Sequence, residues 1–101
     1  MKQKTNKLRK LERNRKSILT KDLKRCYICG DPKSDLHEIF GAGNRKISME
    51  QGFVIPVCRK CHTKLTLNYD FSLMIKKICQ NEFEANHTRE EWMQLIRRNY
   101  L

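Results

Sequence analysis

Cys26-Tyr27-Ile28-Cys29 is answered, after 28 intervening residues, by Cys58-Arg59-Lys60-Cys61. Each C-x-x-C places two thiolates within reach of one ion, and a tetrahedral Zn2+ needs two such pairs brought together. A structural zinc on Cys26, Cys29, Cys58 and Cys61 is therefore expected, with two disulfides as the competing reading. Between the pairs lies His37-Glu38-Ile39-Phe40, and His62 follows the second pair directly. Folding the cysteines together must also draw these two imidazoles close. Two imidazoles beside the Glu38 carboxylate make an incomplete, open divalent-metal site, which is what hydrolytic metal chemistry requires. Cys79, left over on an apolar stretch, is expected to be a small buried side chain, and His87 a loop residue.

A chain of 101 residues with 39 % apolar content fits one domain and leaves little material for a large core. Metal binding would make up the shortfall, since a structural zinc supplies roughly 10–16 kcal/mol of apparent binding free energy, comparable to a small domain's whole stability. The N-terminus is basic with no apolar stretch after it, so neither a secretory signal nor a membrane span is expected. A reducing cytoplasm, in turn, favours metal over disulfide.

Charge is unevenly spread within a formal net of +11. Residues 1–25 hold eleven Lys or Arg against Glu12 and Asp22, giving +9, whereas residues 26–101 hold eleven against nine, giving +2. Such an arm suggests a polyanion partner, nucleic acid rather than membrane, because its apolar anchors are few and carry no aromatic. A solubilising, partly disordered tail is the alternative. The expected division is thus a basic arm, 1–25, helical or partly disordered, and a metal-binding domain, 26–101.

The elements that must position the site can be read along the chain. Leu8, Leu11 and Ile18 at rough helical spacing predict a helix over about 4–16. Gly30-Asp31-Pro32 after Cys29 predicts a turn. Residues 36–40 and 53–57 read as two strands that could pair across a long loop, with Pro56 arguing for a sheet edge or a strand end, and 47–51 as one helical turn. Residues 59–67 read as a helix that has Cys58, Cys61 and His62 around its N-terminus. Asn68 or Asp70 would cap a helix over about 71–85 whose apolar face is Phe71, Met74, Ile75, Ile78, Cys79 and Phe83. Thr88-Arg89-Glu90-Glu91 is a capping box opening a last helix with Trp92, Leu95 and Ile96 turned inward.

C-x-x-C, a strand bearing His37-Glu38-Ile39-Phe40, a loop with Asn44-Arg45-Lys46, and C-x-x-C-H opening a helix together resemble the HNH endonucleases of the ββα-metal fold, above all their short phage-associated, recombination-linked members. The Phe83, Arg89-Glu90-Glu91 and Asn99-Tyr100-Leu101 ending is similar too. The resemblance implies an α+β fold: a zinc-stapled ββα-metal core over residues 26–101, with a basic N-terminal helix or arm outside it and two C-terminal helices. It makes His37 and His62 ligands of a catalytic divalent ion (Mg2+, Mn2+ or Ni2+) and puts Glu38 at the general-base position. The family's central asparagine falls at Phe53, so that role is absent or passes to Asn44, and a further ligand position falls at Thr66.

The implied function is a metal-dependent endonuclease hydrolysing phosphodiester bonds in DNA with little sequence specificity, in the cytoplasm of a host cell, with room for a recombination-protein partner. Arg45 would neutralise developing charge, with Arg45 and Lys46 as phosphate contacts or simply as a solvated loop pair; Arg59, Lys60 and Lys64 share that ambiguity. The alternative is a catalytically degenerate zinc module that binds nucleic acid without cutting it.

Overall fold

A computed structural model describes residues 6–101 and shows a mixed α+β chain built on one two-stranded sheet. α1 spans Asn6–Arg13, β1 Asp35–Glu38, α2 Arg45–Gln51 after a 3-10 turn at Ala42–Asn44, β2 Val54–Val57, α3 Arg59–Leu67, α4 Tyr69–Glu84 and α5 Arg89–Ile96. The strands pair antiparallel, with Asp35 opposite Val57 and His37 opposite Ile55. The helix α3 packs on both strands and against α4.

Several boundaries differ from those the sequence suggests, each for a local hydrogen-bonding reason. The helix α1 stops at Arg13, not near Lys16, because Ser17 Oγ accepts from the amides of Leu19 and Thr20, closing a turn that competes with helix. Its expected start at Lys4 lies outside the described residues. β1 ends at Glu38 rather than Phe40 because the Phe40 amide leaves the ladder for Ser48 Oγ at 3.1 Å, and that hydroxyl donates back to Phe40 O at 2.7 Å. Ser48 is wholly buried, so this reciprocal pair ties α2 to the end of β1. α2 in turn is longer than one turn and stops at Gly52, whose φ of +79° suits a residue without Cβ. A Cβ there would also meet Ile18 Cγ2 at 3.2 Å.

Two cap signals operate as written in the sequence, and a third cap forms at Cys58. Asn68 Oδ1 accepts from Phe71 N, starting α4 two residues before the expected Phe71. Thr88 Oγ1 accepts from Glu91 N while Glu91 Oε1 accepts from Thr88 N, completing the capping box of α5. Cys58 caps α3 through its sulfur.

The core centres on Phe53, fully buried among the rings of Phe40, Phe83 and Trp92 at centroid distances of 5.3–5.8 Å. Cys79, Ile75 and Ile96 complete it, and Cys79 is inaccessible, as anticipated. Met74 does not join: it is 46 % exposed, so the apolar face of α4 is narrower than its sequence suggests. The wholly buried Gln80 spends its amide on the C-terminal tail, donating to Asn99 Oδ1 and accepting from Tyr100 N. That clamp lays Tyr100 against Phe40 at 5.6 Å. Among the described residues no helix is long and apolar enough to cross a membrane.

Candidate metal centre

The first cysteine pair lies on a tight knuckle. Gly30 N donates to Cys26 O, Cys26 N to Asp31 O, and Gly30 adopts φ +82°, so the chain reverses directly after Cys29. The second pair brackets the start of α3, where Cys61 N donates to Cys58 Sγ at 3.4 Å. Because Val57 is paired with Asp35 and Tyr27 N donates to Pro56 O, the strands bring the two pairs face to face. The sulfurs of Cys26, Cys29, Cys58 and Cys61 all lie within 4.8 Å of one another, with Cys29 and Cys58 at 3.6 Å.

Four sulfurs about 2.3 Å from one tetrahedral ion would sit about 3.8 Å apart, so the cluster is fit to hold a metal such as zinc. All four are free thiols, which removes the disulfide reading. Their electrostatics call for a cation. Burial raises the Cys26 thiol, yet the amides of Cys29, Cys58 and Ile28 outweigh it and hold the group at about 6. Cys61 is pushed up to about 12 by burial and by the three neighbouring sulfurs, because thiolates crowded together cannot all ionise without a positive ion between them. Among the described residues this is the only set of three or more donors that converges.

Beside it the rings of His37 and His62 meet edge to face, 5.2 Å between centroids. Burial, then the electrostatic influence of the adjacent His62 ring and of Lys76, lowers His37 to about 4 against an opposing pull from Glu38. Its imidazole is therefore neutral at pH 7 and carries a lone pair, as a metal ligand must.

The carboxylate that joins this pair is not Glu38. Successive side chains in a strand point to opposite faces, and Glu38 lies across β1 from His37. There its Oε1 accepts from Arg15 Nη2 at 3.0 Å and Arg45 Nε at 2.8 Å, while Arg45 Nη2 reaches Glu12 at 3.1 Å. Asp35, two residues before His37 and hence on its face, places Oδ2 3.1 Å from His62 Nδ1. The same oxygen accepts from Ser34 Oγ and lies 3.8 Å from Arg59 Nη1. Hydrogen bonding to His62, opposed by burial and reinforced by Ser34 and Arg59, lowers the Asp35 carboxyl below its ordinary value. The period-two spacing of Asp35 and His37 is the signal that could have found it.

The remaining candidates divide clearly. Phe53 is core, and Thr66 Oγ1 donates to His62 O, one turn back in α3. Asn44 ends the 3-10 turn and directly precedes α2, its side chain making no cap bond. Lys46, Arg59 and Lys60 are exposed, while Lys64 lies over the Phe71 ring at 4.4 Å. His87 is remote from the pair, stacked on Phe83 and bonded to Glu91.

A family model described as protein of unknown function (DUF968) matches residues 7–91. No characterised protein and no solved structure gives a match.

Proposed function

The chain belongs to the DUF968 family, and from the chemistry of its own site we propose that it is a zinc-stabilised, divalent-metal-dependent endonuclease that hydrolyses phosphodiester bonds in DNA with little sequence preference. The observation that carries this reading is the meeting of His37 and His62 next to the four-sulfur cluster. The order β1, β2, α3, with cysteines at the base of the hairpin and a histidine in the first turn of the helix, supports an HNH-like ββα-metal core.

In this reading the zinc on Cys26, Cys29, Cys58 and Cys61 is structural, holding β1 and the start of α3 in register. A second divalent ion, Mg2+, Mn2+ or Ni2+, would be held by His37 and His62 and would supply Lewis-acid polarisation of a phosphoryl oxygen together with a lowered pKa for water. His37 contributes a neutral, half-shielded nitrogen and His62 a second one from the helix. Arg59 and Lys60, exposed on the same helix, meet the flanking phosphates. Glu38 serves to anchor Arg15 and Arg45 rather than to move a proton. The basic surface of α1, with Lys7, Arg9, Lys10 and Arg13 exposed, adds affinity that is independent of sequence and falls with salt.

Plasmid nicking by the zinc-loaded full chain tests this. Nicking in at least one of Mg2+, Mn2+ or Ni2+ is expected, with His62→Ala dropping to background while retaining its zinc. A second reading, a nucleic-acid-binding zinc module without turnover, draws on the same structure: Glu38 is committed to two guanidiniums, and Phe53 and Thr66 offer no ligand. Salt-dependent DNA binding with no cleavage in any of the three ions would select it.

A further inference from the structure

We propose that Asp35 is the positioning residue of this site: it accepts the Nδ1 proton of His62 and so holds the ring in the tautomer that leaves Nε2 unprotonated and available to a divalent ion shared with His37. The inference rests on the histidine-pair metal site proposed above and adds to it the group that sets the geometry and basicity of one ligand.

A neutral imidazole carries one N–H and one lone pair, and the partner of one nitrogen decides the state of the other. An ionised carboxylate can only accept. With Asp35 Oδ2 at 3.1 Å from Nδ1, the proton belongs on Nδ1. Asp35 is itself restrained, for its Oδ2 also accepts from Ser34 Oγ and faces Arg59 Nη1. Its backbone is paired with Val57, the residue before Cys58, and Ser34 N donates to Val57 O at 2.9 Å. His62 is equally fixed, since its amide donates to Cys58 O and its carbonyl accepts from Thr66 Oγ1. Both partners are thus built out from the same cysteine framework. A carboxylate behind a ligating imidazole fixes its orientation and raises its basicity, and losing such a partner typically costs about 10–100-fold in metal affinity.

The test uses zinc-loaded full chain labelled with 15N at histidine. Long-range 1H–15N correlation at neutral pH is expected to show His62 protonated at Nδ1 in the wild type. In Asp35→Asn, where the amide can donate to Nδ1, the Nε2-protonated form should grow, as a carboxylate-to-amide change behind a histidine produces elsewhere. Calorimetric titration with Mn2+ should show the second ion bound about 10–100-fold more weakly by Asp35→Asn, with zinc content unchanged. Asp35→Glu, which keeps the carboxylate, should recover part of both signals. Wild-type protein that takes up none of Mn2+, Mg2+ and Ni2+ beyond its zinc overturns the nuclease reading and with it the ligand role of His62. Wild type that takes up the ion while Asp35→Asn binds it as tightly, or a wild-type His62 protonated at Nε2, overturns the role of Asp35 alone.

Discussion

Glu38 shows how one residue's direction decides its chemistry. Its side chain is only 13 % exposed and sits between two guanidiniums, one from the segment after α1 and one from α2. Truncating it leaves both cations facing a half-buried space, at a cost of about 1–3 kcal/mol for unsatisfied charged donors. Glu38→Ala is therefore expected to lower the urea midpoint while leaving nicking within a few-fold of wild type; loss of nicking at unchanged stability would return Glu38 to the catalytic role its sequence position suggests. The residue types of this site were legible: four cysteines and two histidines were named from spacing alone. Which carboxylate joins them was not, because adjacent positions in a sequence look equivalent until strand pleating separates Glu38 from His37 and pairs Asp35 with His62.

At the scale of elements, the turn between α2 and β2 and the capped helices carry the positioning. Gly52 combines a left-handed backbone with a close approach to Ile18, whose amide donates to Gly52 O at 2.9 Å. Gly52→Ala should cost about 1–2 kcal/mol from the backbone conformation alone, read as a lower unfolding midpoint. Between α4 and α5, Arg89 and then the Gln80 amide hold the Glu84 carboxyl below its ordinary 4.5. A depressed folded value means stability present at neutral pH and lost as pH falls through the folded value. The advantage of wild type over Glu84→Gln in urea denaturation should therefore be constant above about pH 5 and shrink toward zero in acid; an advantage growing with acidity would contradict the pairing. The capping residues Asn68 and Thr88 and the helix after Cys58 were readable because their signals are local. The ends of α1 and β1 were not, because Ser17 and Ser48 divert backbone donors through hydroxyls that could equally have faced solvent.

Over the described residues, segments from before and after the sheet fold back on the end of the histidine strand and on Phe40 just beyond it. Arg15 grips Glu38 from the N-terminal side, while Gln80 pins the tail so that Tyr100 covers Phe40. In the described part of the basic arm the amphipathic helix therefore packs against α2, with Lys7, Arg9, Lys10 and Arg13 outward and Arg15 turned in to Glu38. Charge segregation was plain in the sequence; the docking was not, since it depends on Glu12, Arg15, Glu38 and Arg45 meeting across long separations. The account stands most directly on where metal ions bind. Crystals of the full chain grown with Mn2+, with anomalous data collected at the zinc and manganese edges, should show zinc between the sulfurs of Cys26, Cys29, Cys58 and Cys61 and manganese at His37 and His62. Zinc alone, with the histidine pair holding no ion in crystals grown with Mn2+ or with Ni2+, would contradict it.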